Sequence, residues 1–486
     1  MRHFLIASFL LSFCLSCNDQ VNEPVQKVPA DHLFSQLPAV NTGIDFANNL
    51  TLSEEVNPYT YRNFYNGAGV GLGDFNNDGL LDIFFTGNQV DNRLYWNQGN
   101  LNFKVEKVPM LSSTNSWSTG VTIVDINADG WDDIYVCKSG PPAEANLKGL
   151  DGVRHNELFV NQQDGTFIEQ AADYGLDFSS LSIHIAFFDY DQDGDLDAYL
   201  LSNSNRSVSG YDLIKDARNI PDSVGGNRLL RCEWPAQPNG QIKYVDISES
   251  AGIYRSAIGF GLGVTAGDVD QNGTTDLFVS NDYFERDYLY YNRGNGTFNE
   301  SLVKELPEIS LGSMGADLAD LNNDGLPELF VTEMLPANQE RYQTKAAFQN
   351  WNKYQLYRDK GYHQQFSRNV LQWNRGDGRF SEISRFAGVE ATDWSWGALL
   401  FDMDADGKKD IFVANGIAKD LVDQDYIKFD GNGDVIRKTL IEEEKSILTL
   451  FDKIPSEKLV NGVFKNTGNL HFSERAPDWG LDQPSF

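Results

Sequence analysis

The sequence predicts an all-β chain folded as a β-propeller, and three observations predict it. An acidic phrase, Gly71-Leu-Gly-Asp-Phe-Asn-Asn-Asp-Gly-Leu-Leu-Asp-Ile-Phe-Phe85, returns in five further copies. A second phrase, first seen as Asn92-Arg-Leu-Tyr-Trp-Asn-Gln-Gly-Asn-Leu-Asn-Phe103, recurs near Asn156, Asp287, Asn369 and Asn461. The composition is 41% hydrophobic and 12% aromatic, enough for a large core in spite of a formal charge of -31. A Gly-rich apolar strand, an acidic loop, a second apolar strand and a hairpin of the Asn-x-Gly-Asn/Asp-Gly type make four short strands, the content of one blade.

At the N-terminus, Met1-Arg2-His3 precedes an apolar run from Phe4 to Leu15 and then Ser16-Cys17. The run is too short to span a bilayer comfortably and reads as an export signal. Ser16-Cys17 is similar to a bacterial lipobox, with Cys14 where Leu is usual, so residues 1–17 are expected to be a lipoprotein signal with lipidation at Cys17. The alternative is plain secretion. The expected location is the bacterial outer membrane or cell surface, or else the periplasm or medium, with membrane contact only through the lipid. Residues 18–33 are polar and read as a tether, and 34–486 as the propeller. Thr42-Gly-Ile-Asp-Phe46 is strand-like. Cys137 and Cys232 lie in apolar strand contexts and are expected to be buried free thiols.

Acidic loops begin at Asp74, Asp125, Asp189, Asp268, Asp320 and Asp402, separated by 51, 64, 79, 52 and 82 residues. A minimal module of about 50 residues is thus expanded by insertions, at 140–154, 203–226, 337–366 and 417–459. The first two are Gly/Ser/Asp-rich loops. The last two read as partly helical, with helical apolar spacing at Leu440, Ile441, Ile447, Leu448 and Phe451 between Lys438 and Lys453. Such insertions serve either as a recognition surface or as padding over blade edges. The copy of the second phrase near Asn227 is the most degraded, with Cys232-Glu-Trp-Pro in place of the turn.

Each acidic loop offers side-chain oxygens at positions 1, 3, 5 and 9, a Gly at position 6 and a backbone carbonyl at position 7, the pattern a Ca2+ ion of six to eight oxygen ligands needs. The candidate ligands are Asp74, Asn76, Asp78, Leu80 and Asp82; Asp125, Asn127, Asp129, Trp131 and Asp133; Asp189, Asp191, Asp193, Asp195 and Asp197; Asp268, Asp270, Asn272, Thr274 and Asp276; Asp320, Asn322, Asp324, Leu326 and Glu328; and Asp402, Asp404, Asp406, Lys408 and Asp410. About six Ca2+ sites are expected, and the ions would relieve the repulsion of the clustered carboxylates. The same acidity, with no Lys/Arg stripe, argues against a nucleic-acid partner.

The repeats resemble FG-GAP/VCBS-type repeats, as in the integrin alpha-subunit propeller, over about residues 40–486. Phe64-Tyr-Asn-Gly-Ala-Gly-Val, Gly361-Tyr-His, Thr392-Asp-Trp-Ser-Trp396 and Trp479-Gly-Leu-Asp-Gln-Pro-Ser-Phe486 look like the VCBS-repeat lipoproteins of Bacteroidetes related to cartilage acidic protein, which often carry an ASPIC/UnbV domain. The resemblance implies a calcium-stabilised propeller outside the cytoplasm, most often seven-bladed, and no known ligand. Asp482–Phe486 is where that family begins another strand and loop, so the expectation is six complete modules and a seventh whose inner strands lie beyond residue 486, with an outer edge near Gly43–Phe46. No ASPIC/UnbV segment is read here, and nothing of that domain is transferred.

No Gly-x-Ser-x-Gly, paired His ligands, phosphate loop or Cys/His dyad is present, and His155, His184, His363 and His471 are scattered. Gly259-Phe-Gly-Leu-Gly263 precedes an acidic loop instead of opening a helix and reads as an inner strand. The favoured expectation is a non-catalytic binding or adhesion platform for a protein or glycan, with Trp351, Tyr354 and Tyr357 beside Arg358 and Lys360 as contact residues. The alternative is a carbohydrate-active enzyme of the polysaccharide-lyase kind, with Tyr342, Trp351, Tyr354, Arg358 and His363 as the residues to inspect.

Overall fold

The computed structural model describes residues 32–106, 117–140, 154–204, 217–235, 240–347 and 350–486. The signal with Cys17, the tether up to residue 31 and residues 141–153 of the first insertion lie outside the described residues. Among them are six four-stranded antiparallel meanders, each in chain order. Blade 1 comprises Val70–Gly73, Asp82–Phe85, Arg93–Asn97 and Phe103–Glu106. Blades 2 to 6 occupy 117–169, 182–246, 261–300, 316–382 and 395–474.

The first strands of the six blades touch one another in chain order. Gly261–Gly267 is one of them, as the glycine phrase at 259–263 implies. The period-2 pattern of each blade then fills the wedge between neighbouring sheets with side chains. One apolar cluster joins blades 1 and 2 through Phe84, Leu94, Ile134 and Phe159. Four more join 2 to 3, 3 to 4, 4 to 5 and 5 to 6. Full burial of one such side chain contributes about 1.5–3 kcal/mol, so these clusters hold the sheets together. Cys137 and Cys232 lie in the 2–3 cluster, both buried and free.

Polar latches add register to this packing. In four blades the Asn that opens the hairpin turn reaches back to the position-2 carbonyl of the preceding blade's acidic loop: Asn161 to Phe75 (2.8 Å), Asn292 to Tyr190 (2.7 Å), Asn374 to Val269 (3.0 Å) and Asn466 to Leu321 (2.7 Å). A second latch runs forward from position 4 to the position-6 carbonyl of the next loop, through Asn77 to Gly130, Gln192 to Gly273, Gln271 to Gly325 and Asn323 to Gly407. Neither forms between blades 2 and 3. Position 4 there is Ala128, and the hairpin Asn is replaced by Cys232.

One expectation is corrected. Thr42–Phe46 is not a strand: Thr42 closes the helical turn Ala39–Thr42, and residues 43–46 are irregular, with Phe46 stacked on Phe85 at 4.9 Å. The glycines that follow several of these turns abut a backbone carbonyl of the next segment, Gly175 at Tyr244, Gly252 at Phe298 and Gly43 at Phe103, while Gly480 meets Phe34. Residues 33–43 form no strand among the described residues, and they pack against the last turn of blade 6, where the Phe34 N–H donates to Trp479 O at 2.9 Å. The stretch Lys438–Lys453 is helical in part, as its apolar spacing implies, and is broken in the middle. Helical turns at Lys438–Glu442 and Leu448–Phe451 are separated where Glu444 takes a left-handed φ of 50° and the Lys445 N–H returns to Thr439 O, a stop that follows the adjacent charges Glu442, Glu443 and Glu444. Among the described residues no helix is long and apolar enough to cross a membrane.

The missing latch yields a prediction. Ala128 is exposed with φ 54°, a conformation Asn tolerates better than Ala, and loops 1 and 5 place Asn at the same position. Ala128→Asn should raise stability by about 0.5–1 kcal/mol, one hydrogen bond's net worth, as a higher denaturation midpoint. An unchanged or lower midpoint contradicts the latch.

Candidate metal loops and the cavity of the opposite face

The six loops share one backbone. Position 4 is left-handed in all of them, with φ between 53° at Asn77 and 63° at Gln192, and the position-6 glycines have φ from 84° to 94°. Only glycine takes the second of these without strain. The position-1 carboxylate folds the loop around itself: Asp74 accepts the N–H groups of Asp78 (3.0 Å) and Gly79 (2.8 Å), and Asp125, Asp268, Asp320 and Asp402 repeat the pair. Asp189 differs, accepting from Gln192 and Gly194. At position 7, Leu80, Trp131, Asp195, Thr274, Leu326 and Lys408 each donate their N–H to the position-5 side chain.

Position 9 is the buried end of each loop. Asp82, Asp133, Asp197, Asp276, Glu328 and Asp410 are all 0% exposed. Five of them accept one N–H from position 2 and one from the third strand, as Asp82 does from Phe75 (3.2 Å) and Asn97 (2.7 Å). Glu328, one methylene longer, accepts from Leu321 and from the Asn322 amide. Burial pushes these carboxyls up, to about 6 at Asp82, about 7 at Asp133, Asp197 and Asp276, and about 8 at Glu328. A divalent cation at positions 1, 3 and 5 would oppose that shift. The donor set fits such an ion: in Asp189/Asp191/Asp197, Asp268/Asp270/Asp276 and Asp402/Asp404/Asp410 the ligand oxygens lie within 4.8 Å of one another. In the other three loops position 3 is Asn76, Asn127 or Asn322, an oxygen donor without charge.

The sixth loop has an internal competitor. Lys465, just before the latch residue Asn466, pairs through its ammonium with Asp404 and lies 3.0 Å from Asp406. A calcium ion there must displace it. Lys465→Met should therefore raise calcium affinity at one site by about tenfold, read by titration calorimetry of the full chain. An isotherm identical to that of the unaltered chain contradicts the competition.

The meander topology sends acidic loops and hairpin turns to one edge of every sheet, and the connections between second and third strands to the other. All four insertions are connections of this second kind. The helix Gln339–Lys345 is held down by ions: Arg341, 7% exposed, pairs with Asp393, Asp420 (2.9 Å) and Glu457 (2.6 Å), and Lys345 with Asp423. The insertions of blades 5 and 6 are thereby locked together. The aromatics expected to act together are divided. Trp351, 64% exposed, stacks on Tyr354 at 5.4 Å, whereas Tyr357 is buried against Phe284 and Tyr362. Arg358 faces solvent near Asp359, Tyr342 is exposed, Lys360 caps the helix Trp351–Asp359, and the His363 ring contacts Leu306 O at 2.9 Å. Tyr342, Arg358 and His363 do not meet in one constellation.

What sequence reading missed is residues 57–66, which lead into blade 1 and cross the insertion face. Tyr61 bonds Ser139 of blade 2 (2.8 Å), Asn63 bonds Asn203 beside blade 3 (2.6 Å), Arg62 lies over the Tyr283 ring beside blade 4 (5.5 Å), and Tyr59 bonds Tyr426 of the blade 6 insertion (2.7 Å). Beside this strap lies a cavity of about 410 Å³, lined by residues of the connections around blades 4, 5 and 6. The aromatic density of Tyr59-Thr-Tyr-Arg-Asn-Phe-Tyr65 was the available signal.

Comparison with known proteins agrees with the repeats. The FG-GAP-like repeat profile matches residues 56–136, 250–331 and 361–413. Cartilage acidic protein 1 of Mus musculus is 22% identical over 245 residues, 44% of this chain, and the Homo sapiens protein is equally similar. The matches span 38% and 37% of those two proteins' lengths. Among solved structures, an Agrocybe aegerita lectin that recognises non-reducing terminal N-acetylglucosamine aligns over 86% of this chain and 83% of its own at 13% identity and a TM-score of 0.39. The V. cholerae biofilm matrix protein Bap1 aligns over 65% and 38% at 15% identity and a TM-score of 0.28. FG-GAP-like repeats in three regions of the chain and its weak homology to cartilage acidic protein 1 support an FG-GAP-repeat propeller related to that protein.

Proposed function

We propose that this chain is a calcium-stabilised, extracytoplasmic propeller that acts as a non-catalytic binding or adhesion platform for a protein or glycan, tethered through a lipid on Cys17. The observation that carries the reading is the division of labour between the two edges of the sheets. One edge is committed to the six acidic loops, and the other carries every insertion, two of them fixed by the Arg341 ion pairs. A rigid scaffold with its variable segments on one face is the usual arrangement of a recognition surface. The exposed Trp351/Tyr354 stack offers the large rigid aromatic area that binding surfaces favour. The apolar run ending at Ser16-Cys17 supports export and anchoring.

Arrays of glycans and cell-surface proteins, probed with the full chain and with Trp351→Ala/Tyr354→Ala, test the platform. A ligand should be captured, and the double variant should weaken it by about tenfold or more. Capture unaffected by the variant contradicts this placement, and calcium-dependent cleavage of a polysaccharide contradicts the non-catalytic reading. For the anchor, fatty-acid labelling in a bacterial host should be lost in Cys17→Ser; retained label sinks it.

A further inference from the structure

The cavity beside the strap gathers residues that the repeat architecture does not require. Two phrases set apart in the sequence outside the repeats meet there: Tyr65 and Asn66 from the first, Trp394 and Trp396 from Thr392–Trp396. Its volume, about 410 Å³, is that of a ligand-sized pocket, and its wall is mainly aromatic and aliphatic, as such pockets are. The two indoles stand 6.0 Å apart at 45°. Trp394 is 8% exposed, and its buried Nε1 has no hydrogen-bond partner among the described residues.

Four charged residues line the cavity, two acids and two bases. Asp282 accepts the Tyr283 N–H at 2.6 Å, and Glu333, 2% exposed, accepts the Ser367 hydroxyl at 2.9 Å. Arg62 lies over the Tyr283 ring, and Lys353 Nζ lies 5.3 Å from the centre of the Tyr357 ring. Burial pushes Asp282 up to about 6 and Glu333 to about 7. With both acids ionised, the two carboxylates and the two bases leave the lining without net charge. An anionic ligand would face both carboxylates and a cationic one both bases, each losing about what the opposite pair supplies. A neutral ring with an apolar face for stacking and several hydroxyls for donation suits this lining: the carboxylates accept its O–H groups, and the bases donate to its oxygens.

We infer that this cavity binds one neutral saccharide residue, stacked on the Trp394/Trp396 wall and hydrogen-bonded by Asp282 and Glu333. The inference rests on the reading of the insertion face as the binding face and names the site within it. Methyl glycosides of neutral hexoses and N-acetylhexosamines at millimolar concentration are the probes, with choline and glucuronate as charged counterparts, titrated into the calcium-loaded full chain by calorimetry and tryptophan fluorescence. At least one neutral glycoside should give saturable heat and an emission change, weakened about tenfold in Asp282→Asn and in Trp396→Ala. Lys353→Ala, on the exposed rim, should weaken binding without touching the core. A response confined to choline or glucuronate, none from any neutral glycoside, or one unaltered in all three variants overturns the inference. The platform reading is judged separately by the Trp351→Ala/Tyr354→Ala arrays: ligand capture lost there while glycoside heats ignore Asp282 and Trp396 removes the cavity and leaves the platform.

Discussion

The fold depends on the carboxylate at loop position 9. It is fully buried and, in five of six blades, held between two backbone N–H groups, one from its own loop and one from the third strand. It joins the metal loop, the second strand and the third strand into one unit, and leaves an acid in the interior that burial pushes toward its protonated form. A divalent cation reverses that cost, since ligation requires the ionised form. The acidic loops are thus less a surface decoration than the inner corner of each sheet.

From that corner the latches extend the order sideways. The hairpin Asn grips the previous loop and the position-4 amide grips the next, so neighbouring blades are registered by their loops as well as by their apolar wedge. Where Ala128 and Cys232 remove both latches, between blades 2 and 3, a cleft of about 640 Å³ opens among Asp125, Asp191, Asp195 and Trp234. With register supplied at the loop edge, the opposite edge is free to carry long insertions, and there the strap 57–66 and the Arg341 ion pairs bind segments from several blades.

Repetition made the fold legible in the sequence. Each acidic phrase fixes a left-handed residue, a glycine and a buried acid at constant spacing, and one reading served six times. Non-repeated parts were not legible in this way. Thr42–Phe46 has strand-like alternation, yet its place is set by Gly43 against Phe103, a contact 60 residues away in sequence. Lys438–Lys453 has helical spacing, but local charge and the return of the Lys445 N–H to Thr439 break it. Asp282 and Glu333 are separate acids in the sequence, and only the meeting of three blades and a strap brings them to one cavity. Tyr357 lies near Trp351 and Tyr354 in the sequence, but it turns inward, where Phe284 and Tyr362 cover it.

Calcium in the loops, and a fold that needs it, is what we propose. The most direct test is to count calcium in the purified full chain by elemental analysis after exhaustive dialysis against calcium buffer, and to melt the same sample with and without chelator. Six loops that hold calcium should give about six ions per chain and a large fall in melting temperature when the ions are removed. A chain that retains no calcium and melts at the same temperature in chelator would contradict it.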